Sequence, residues 1–340
     1  MFSNFAFIKK FEVFILMKIC FLDNSIIPYT YNDLNSKHIR GGENAIIHLS
    51  NELSKLGNEI VVYNNCNDSC VVNDVKWFNI NQADKSVYYD LAFTNNDIGL
   101  FNKINAKKCI AFSHSIQSIE KFIRKGQLFS YLKYKPKIVL LGKYHKENRN
   151  YLLKLFGTIN LEWAVDPLFL ETKLDESLIE NRAIFTSRRD RNLDLLIKLW
   201  TKDIFPKNKS IKLYSTPSEL INNDFNIFAR NFEDKKTMVN DLLKSKVLLV
   251  PGHKGELYCI AAEEARELCI PIVTLGIGSL SERVEHGITG FIAKTPEEFA
   301  DYTLKIFDDE NLWKDLRNNL IKLRGTKKWD KVAFNLLSQI

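Results

Sequence analysis

The chain has 340 residues, 45% apolar and 26% charged, with a formal net charge of +7. That length suits two domains of ordinary size, and that composition describes a soluble globular protein and excludes a disordered or fibrous one. No apolar stretch is long enough for a transmembrane helix, and the moderate positive charge favours anionic partners such as nucleotide phosphates or acidic lipids.

Residues 1–16 are aromatic and apolar but broken by Lys9, Lys10 and Glu12. Their charges follow the wrong order for a signal peptide, so they read as an upstream start or a membrane-contacting tail. A first buried strand is expected at 18–22. Gly41-Gly42 then opens a helix over 43–56 closed by Gly57, and a strand follows at 59–63. Free backbone N–H groups at such a glycine-led helix start can seat a phosphate, although glycine there is common for other reasons. Cys66 and Cys70 have the spacing of half a zinc site, but no second pair follows, so no metal is expected. The six cysteines mostly lie in apolar runs and fit reduced, buried thiols.

Strands are expected at 90–94 and 108–112. His114 follows the second at a strand's carboxyl end, where open α/β sheets place ligands, or is satisfied there by loop backbone. Residues 121–137 hold six cations, no acid, and Phe122, Phe129, Tyr131 and Tyr134. They form either a solvated face or a patch that rests on anionic lipid; without an accompanying motif, nucleic acid is not expected. Another strand is expected at 138–141, and the polar residues 170–181 read as a linker.

The second half opens with a strand at 183–187. Arg188, Arg189 and Arg191 crowd the turn before a helix at 193–200, so they are either solvated or aimed at an anion, to which guanidinium is well suited. A strand at 211–214 and a helix at 235–244 lead to KVLLV at 246–250, a buried strand ending at Pro251-Gly252. A helix read over 257–268 on its apolar spacing leads to a strand at 271–274 and a second glycine loop, Gly276-Ile-Gly278-Ser279. Glu256 and Glu264 are eight residues apart, about 12 Å along one side of a continuous helix. They are either two solvated helix glutamates or two grips on one polyhydroxylated ligand. Helices at 296–307, 311–323 and 329–340 close the chain.

Glu256-x7-Glu264, Ala265, Pro271-Ile-Val, the glycine loop, Glu282-Arg-Val-Glu285 and Gly287-x-x-Gly290-Phe stand in register without a gap. Together they resemble the donor-binding segment of retaining glycosyltransferases of family 4, within glycosyl transferases group 1. Gly57-Asn-Glu-Ile-Val and Glu162-Trp-Ala-Val-Asp166-Pro-Leu-Phe169 resemble further parts of that pattern. Leu257-Tyr258-Cys259 departs from the usual Gly-Phe-Gly, Gly278-Ser279 from a glycine pair, Ser281 from proline, and Trp163-Ala164 from a glycine.

The resemblance implies an α/β chain of GT-B fold, two Rossmann-like domains facing across a cleft. The expected boundaries are an extension at 1–16, an acceptor domain at 17–165, a linker at 166–181, a donor domain at 182–326 and a terminal helix at 327–340 crossing back. It implies transfer of a sugar from a nucleotide-diphosphate sugar to a hydroxyl of a glycan, lipid-linked or cell-surface acceptor, with retention and without a metal or other cofactor. Arg188 and Arg191 are expected on the diphosphate, Glu264 on the ribose, Glu256 on the sugar hydroxyls and His114 on the sugar or β-phosphate. Gly41, Gly42 and the backbone of Leu257, Tyr258 and Cys259 complete the donor pocket. No residue stands out as a covalent nucleophile, so front-side displacement is the mechanism that fits. The reduced thiols give the expectation of a cytoplasmic protein, peripheral on the inner face of a membrane where the 121–137 patch rests on lipid rather than forming a solvated face. A nucleotide-sugar epimerase of the same fold, or a non-catalytic module using it for binding, are the alternatives.

Overall fold

The computed structural model describes residues 16–36, 38–114, 118–216, 221–230 and 234–340. The N-terminal extension thus lies outside the described residues except for Leu16. Fourteen strands among them form two sheets. The first contains β1 (Lys18–Leu22), β2 (Glu59–Asn64), β3 (Cys70–Val72), β4 (Val75–Asn79), β5 (Tyr88–Asn95), β6 (Asn105–Phe112), β7 (Lys137–Leu140) and β8 (Thr158–Asn160). Its order is β3-β4-β2-β1-β5-β6-β7-β8, parallel except where β3 returns along β4. The second contains β9 (Glu180–Ile184), β10 (Lys212–Ser215), β11 (Ile227–Ala229), β12 (Ser245–Leu249), β13 (Ile272–Thr274) and β14 (Gly290–Ile292), in the order β11-β10-β9-β12-β13-β14 and parallel throughout.

Parallel strands covered on both faces read as continuous apolar runs rather than alternating ones. Central β1 and β12 are buried almost end to end, and Phe21 stacks on Phe93 of β5 with ring centroids 4.6 Å apart. The short outer strands β3, β8, β11 and β14 carry no comparable run, and none was expected from the sequence.

Each sheet reverses its winding once. In the first, the reversal falls between β1 and β5, and in the second between β9 and β12. Connections leave such a switch point on opposite faces and open a crevice at the carboxyl ends of the strands, the usual ligand position in open α/β sheets. The glycine pair follows β1, Asn95 ends β5, the arginine turn follows β9 and the Glu256 loop follows β12. Topology therefore brings the chemistry-bearing loops of each domain together.

Bonds between the domains hold them against each other. The Glu282 carboxylate accepts from the backbone N–H of Lys143 at 2.7 Å and of Tyr144 at 2.5 Å, and the Tyr144 hydroxyl donates to the Lys254 carbonyl at 2.7 Å. The terminal helix Trp329–Ser338 lies on the N-terminal domain, its Trp329 ring stacked on His48 at 5.3 Å. Residues 170–181 are not a featureless linker: Pro167–Glu171 is helical and Glu176–Leu178 forms a further turn.

The basic stretch forms two short helices, Ile119–Arg124 and Leu128–Tyr134. Phe122 and Tyr131 are core residues, whereas Ile123, Phe129 and Leu132 are 60%, 74% and 50% exposed. Apolar side chains therefore stand among the cations on the outer face. No helix of the described residues is long and apolar enough to cross a membrane.

Candidate active site

Arg191 and Glu256 meet at the crevice between β9 and β12. Arg191 Nε donates to Glu256 Oε2 at 2.8 Å, with both side chains mostly shielded. Arg191 Nη1 also reaches Asp190 Oδ2 and His253 Nδ1, each at 3.3 Å. The Gly255 N–H donates to the same His253 nitrogen at 3.0 Å, so Nδ1 carries no proton and the imidazole is an acceptor on that side. Three acceptors thus fix the orientation of one guanidinium. The second glycine loop supports this arrangement: Ser279 N–H donates to the Glu256 carbonyl at 2.9 Å. A β-carbon at Gly278 would lie 2.4 Å from the His253 carbonyl oxygen, so only glycine fits there.

Glu256 does not stand at a helix start. The helix is Ile260–Glu267, preceded by Cys259 in the left-handed region at φ 50°, a conformation costing on the order of 1 kcal/mol for a residue with a β-carbon. The apolar spacing that extended the expected helix back to Leu257 has a tertiary cause. Leu257 and Tyr258 are buried among N-terminal-domain residues, not on a helix face. The separation along a helix axis therefore does not apply to Glu256 and Glu264.

Tyr258 is the wedge between the domains. Its hydroxyl donates to the Trp163 carbonyl, its ring lies 5.9 Å from that of Trp163, and the Arg283 guanidinium sits 4.2 Å over its face. Trp163 in turn packs 4.8 Å from His114. The two bulky departures from the family pattern, Trp163 and Tyr258, therefore pack against one another and fill the seam.

On the N-terminal side, His114 donates from Nε2 to Asn95 Oδ1 at 2.7 Å, and its backbone N–H donates to Asn96 Oδ1 at 2.9 Å. Burial, with His145 as a second cause, lowers its pKa to about 4. The ring is neutral at pH 7 and presents Nδ1 as an acceptor. Its edge lies against Gly42, where a β-carbon would stand 2.9 Å from Nε2. Gly41 begins the helix Gly41–Lys55, which directs a positive terminus to the same place.

Glu264 belongs to a second cluster. It is partly buried, and burial lifts its pKa to about 8 against the opposing fields of Lys235 and Arg230. Lys235 bridges the domains, bonding Asp166 and, at 2.8 Å, Asn44 Oδ1; His48 Nε2 lies 3.2 Å from the same Asp166 carboxylate. Burial alone would raise the Asp166 pKa, but the His48 and Lys235 bonds reverse that and hold it well below the usual carboxylate range. Arg230 is buried with its Nε 3.5 Å from Asp241.

The structure thus joins Arg191 to Glu256 and His114 to Gly42, and seats Glu264 in its own interdomain cluster. Arg188 lies in the Arg191 turn but is 67% exposed and paired with Asp190 at 3.0 Å. The crowding of three arginines is relieved by two acids that sequence reading passed over: Asp190 serves Arg188 and Arg191, and Asp194 serves Arg189. His253, Lys235 and Arg230 were also missed. His253 lies only three residues before Glu256, a usable signal, whereas Lys235 and Asp166 are 69 apart and leave none.

The model of the family described as glycosyl transferases group 1 matches residues 205–323. No curated protein matches the chain in sequence. Among solved structures, HepE of Anabaena in complex with UDP and glucose aligns with a TM-score of 0.70 at 13% identity, over 95% of this chain and 99% of its own. Sucrose-phosphate synthase from Thermosynechococcus elongatus aligns at 0.67 and 12%, over 95% and 98%. WaaG, a glycosyltransferase involved in lipopolysaccharide biosynthesis, aligns at 0.67 and 11%, over 95% and 99%. The common architecture is the GT-B fold expected from the sequence.

Proposed function

We propose that this chain, of GT-B fold and with the glycosyl transferases group 1 pattern in its second domain, moves a sugar from a nucleotide-diphosphate donor to an acceptor hydroxyl with retention of configuration. The observation that carries the reading is the Arg191 guanidinium, pinned by Glu256, Asp190 and His253 at the switch-point crevice of the second sheet. As the glycosidic bond breaks, negative charge collects on the departing diphosphate. Arg191, assisted by the exposed Arg188 and by helix N-termini, stabilises it without a metal ion. Glu256 holds Arg191 in place and accepts from sugar hydroxyls, and the backbone of Leu257, Tyr258 and Cys259 borders the sugar. Neutral His114, resting on Gly42, accepts from a sugar hydroxyl through Nδ1. Glu264 accepts from the ribose hydroxyls. The leaving phosphate takes the acceptor's proton on the same face, which gives retention without a covalent intermediate.

HepE is described with UDP and glucose, so uridine is the first base to test here. A hydrolysis screen with UDP-, GDP- and ADP-sugars should find one active donor and lose activity in Arg191→Ala and Glu264→Ala. Unchanged rates in both variants would remove the site assignment. Chelation of divalent ions should leave the rate unchanged, and an inverted product anomer by NMR would exclude the front-side route. The exposed Ile123, Phe129 and Leu132 among cations support peripheral contact with an anionic membrane. Cosedimentation should then require phosphatidylglycerol in phosphatidylcholine vesicles and be weakened by Phe129→Ser.

A further inference from the structure

A second hollow, of about 510 Å3, lies beside the candidate active site. Three chain segments meet around it: the turn after β7, the residues after β8, and the entry to the terminal helix. Five lysines line it, Lys143, Lys146, Lys327, Lys328 and Lys331, against the single acid Glu162. That acid is already neutralised by a bond from Lys327 and by Arg283 at 3.5 Å. Lys143 has only a loose, exposed pair with Glu147 at 3.8 Å, a contact of small worth. Lys146, Lys328 and Lys331 show no carboxylate partner among the described residues.

A solvated charged face usually intersperses its signs. Here cations from separated parts of the chain converge on a concave site, where low-dielectric walls concentrate their field on an incoming anion. The hollow also touches the active site through one side chain. Trp163 lines it, and the same ring packs 4.8 Å from His114. The volume falls in the range of small-ligand sites, and the lysine-rich lining suits a charged saccharide better than an acyl chain.

We propose that this groove binds the acceptor, and that the acceptor is an anionic glycan whose phosphate or carboxylate sits among Lys146, Lys328 and Lys331 while its sugar ring rests against Trp163, the side chain that borders His114. The role as acceptor site rests on the transferase reading above; the anion site rests on the groove itself. The test is calorimetry on the full chain saturated with UDP, or on Arg191→Ala if UDP does not bind, so that the donor crevice does not contribute. The probes are glucose 6-phosphate, glucuronate and glucose. One charged sugar should bind at least tenfold more tightly than glucose, and which one does so separates phosphate from carboxylate. The preference should fall at least tenfold in the Lys146→Gln, Lys331→Gln double variant, with melting and circular dichroism verifying its fold. A single Lys328→Gln variant supplies an independent check, with a severalfold loss expected. Equal binding of the three sugars, or a preference surviving all substitutions, would overturn the groove. Because UDP is titrated into the same protein before the sugars, a chain that takes UDP yet ignores sugar charge would sink this proposal and leave the transferase reading standing.

Discussion

Glu256 and Glu264 are close in sequence and occupy opposite environments. Glu256 sits on a loop, accepts from Arg191 and is held by the neighbouring glycine loop. Glu264 lies within a helix, partly buried among Lys235, Arg230 and Asp166, with its pKa raised to about 8. One acid sets the direction of a guanidinium; the other is raised by burial well above the ordinary carboxylate range. Equal spacing from the family pattern therefore conceals two different physical tasks.

The largest effect should come from the Glu256 side. Arg191→Ala leaves Glu256 without its partner and, on the proposed reading, removes the charge opposite the leaving group. A kcat loss of about 10²–10³ is expected, in line with deletion of a preorganised transition-state donor. Arg191→Lys should recover only part of it, because an ammonium cannot engage Glu256, Asp190 and His253 from one plane. A full rescue by lysine would mean that charge alone matters and would erase the distinction drawn for Glu256.

On the Glu264 side the effect should be smaller and should depend on pH. If the carboxylate binds ribose, nucleotide affinity rises as pH climbs through about 8 and then levels off. Glu264→Gln should weaken binding by roughly tenfold and flatten that profile, as calorimetry across the pH range would reveal. A retained slope in the glutamine variant would assign the titration elsewhere.

Stability should carry the same signature. The folded chain keeps the Glu264 proton, with a pKa of about 8 against an ordinary 4.5. The unfolded chain loses it, so this group's contribution falls as pH rises from 4.5 to 8. His114 and His145 work the other way. Both are lowered to about 4 from 6.5 by burial, so the unfolded chain takes up protons first and stability falls as pH drops from 6.5 to 4. Melting curves should decline on both sides, and Glu264→Gln should relieve only the alkaline decline, by a few degrees.

Parts of this contrast were legible in the sequence. Buried runs such as KICFL and KVLLV marked the central strands, and the glycines and arginines marked the switch-point turns. Short edge strands such as β8 and β11 were not legible because three residues carry no period. The start of the helix bearing Glu264 was misplaced because Leu257 and Tyr258 are apolar for the sake of the other domain. The Lys235–Asp166 bridge and the Trp163–Tyr258 packing exist only once both domains are folded, so no local pattern encodes them.

The smallest effect is expected at Arg188. Exposed and paired with Asp190, it should cost no more than severalfold in kcat on replacement by alanine. A loss as large as that of Arg191→Ala would place it on the diphosphate as an equal partner.

On the proposed reading the two glutamates govern different parts of a nucleotide, Glu256 the diphosphate through Arg191 and Glu264 the ribose. Calorimetry with UDP and with uridine, on wild type, Arg191→Ala and Glu264→Gln, separates them directly. Arg191→Ala should weaken UDP and leave uridine unchanged, whereas Glu264→Gln should weaken both by a similar factor. Identical responses of the two variants to both ligands, or no response in either, would contradict the account.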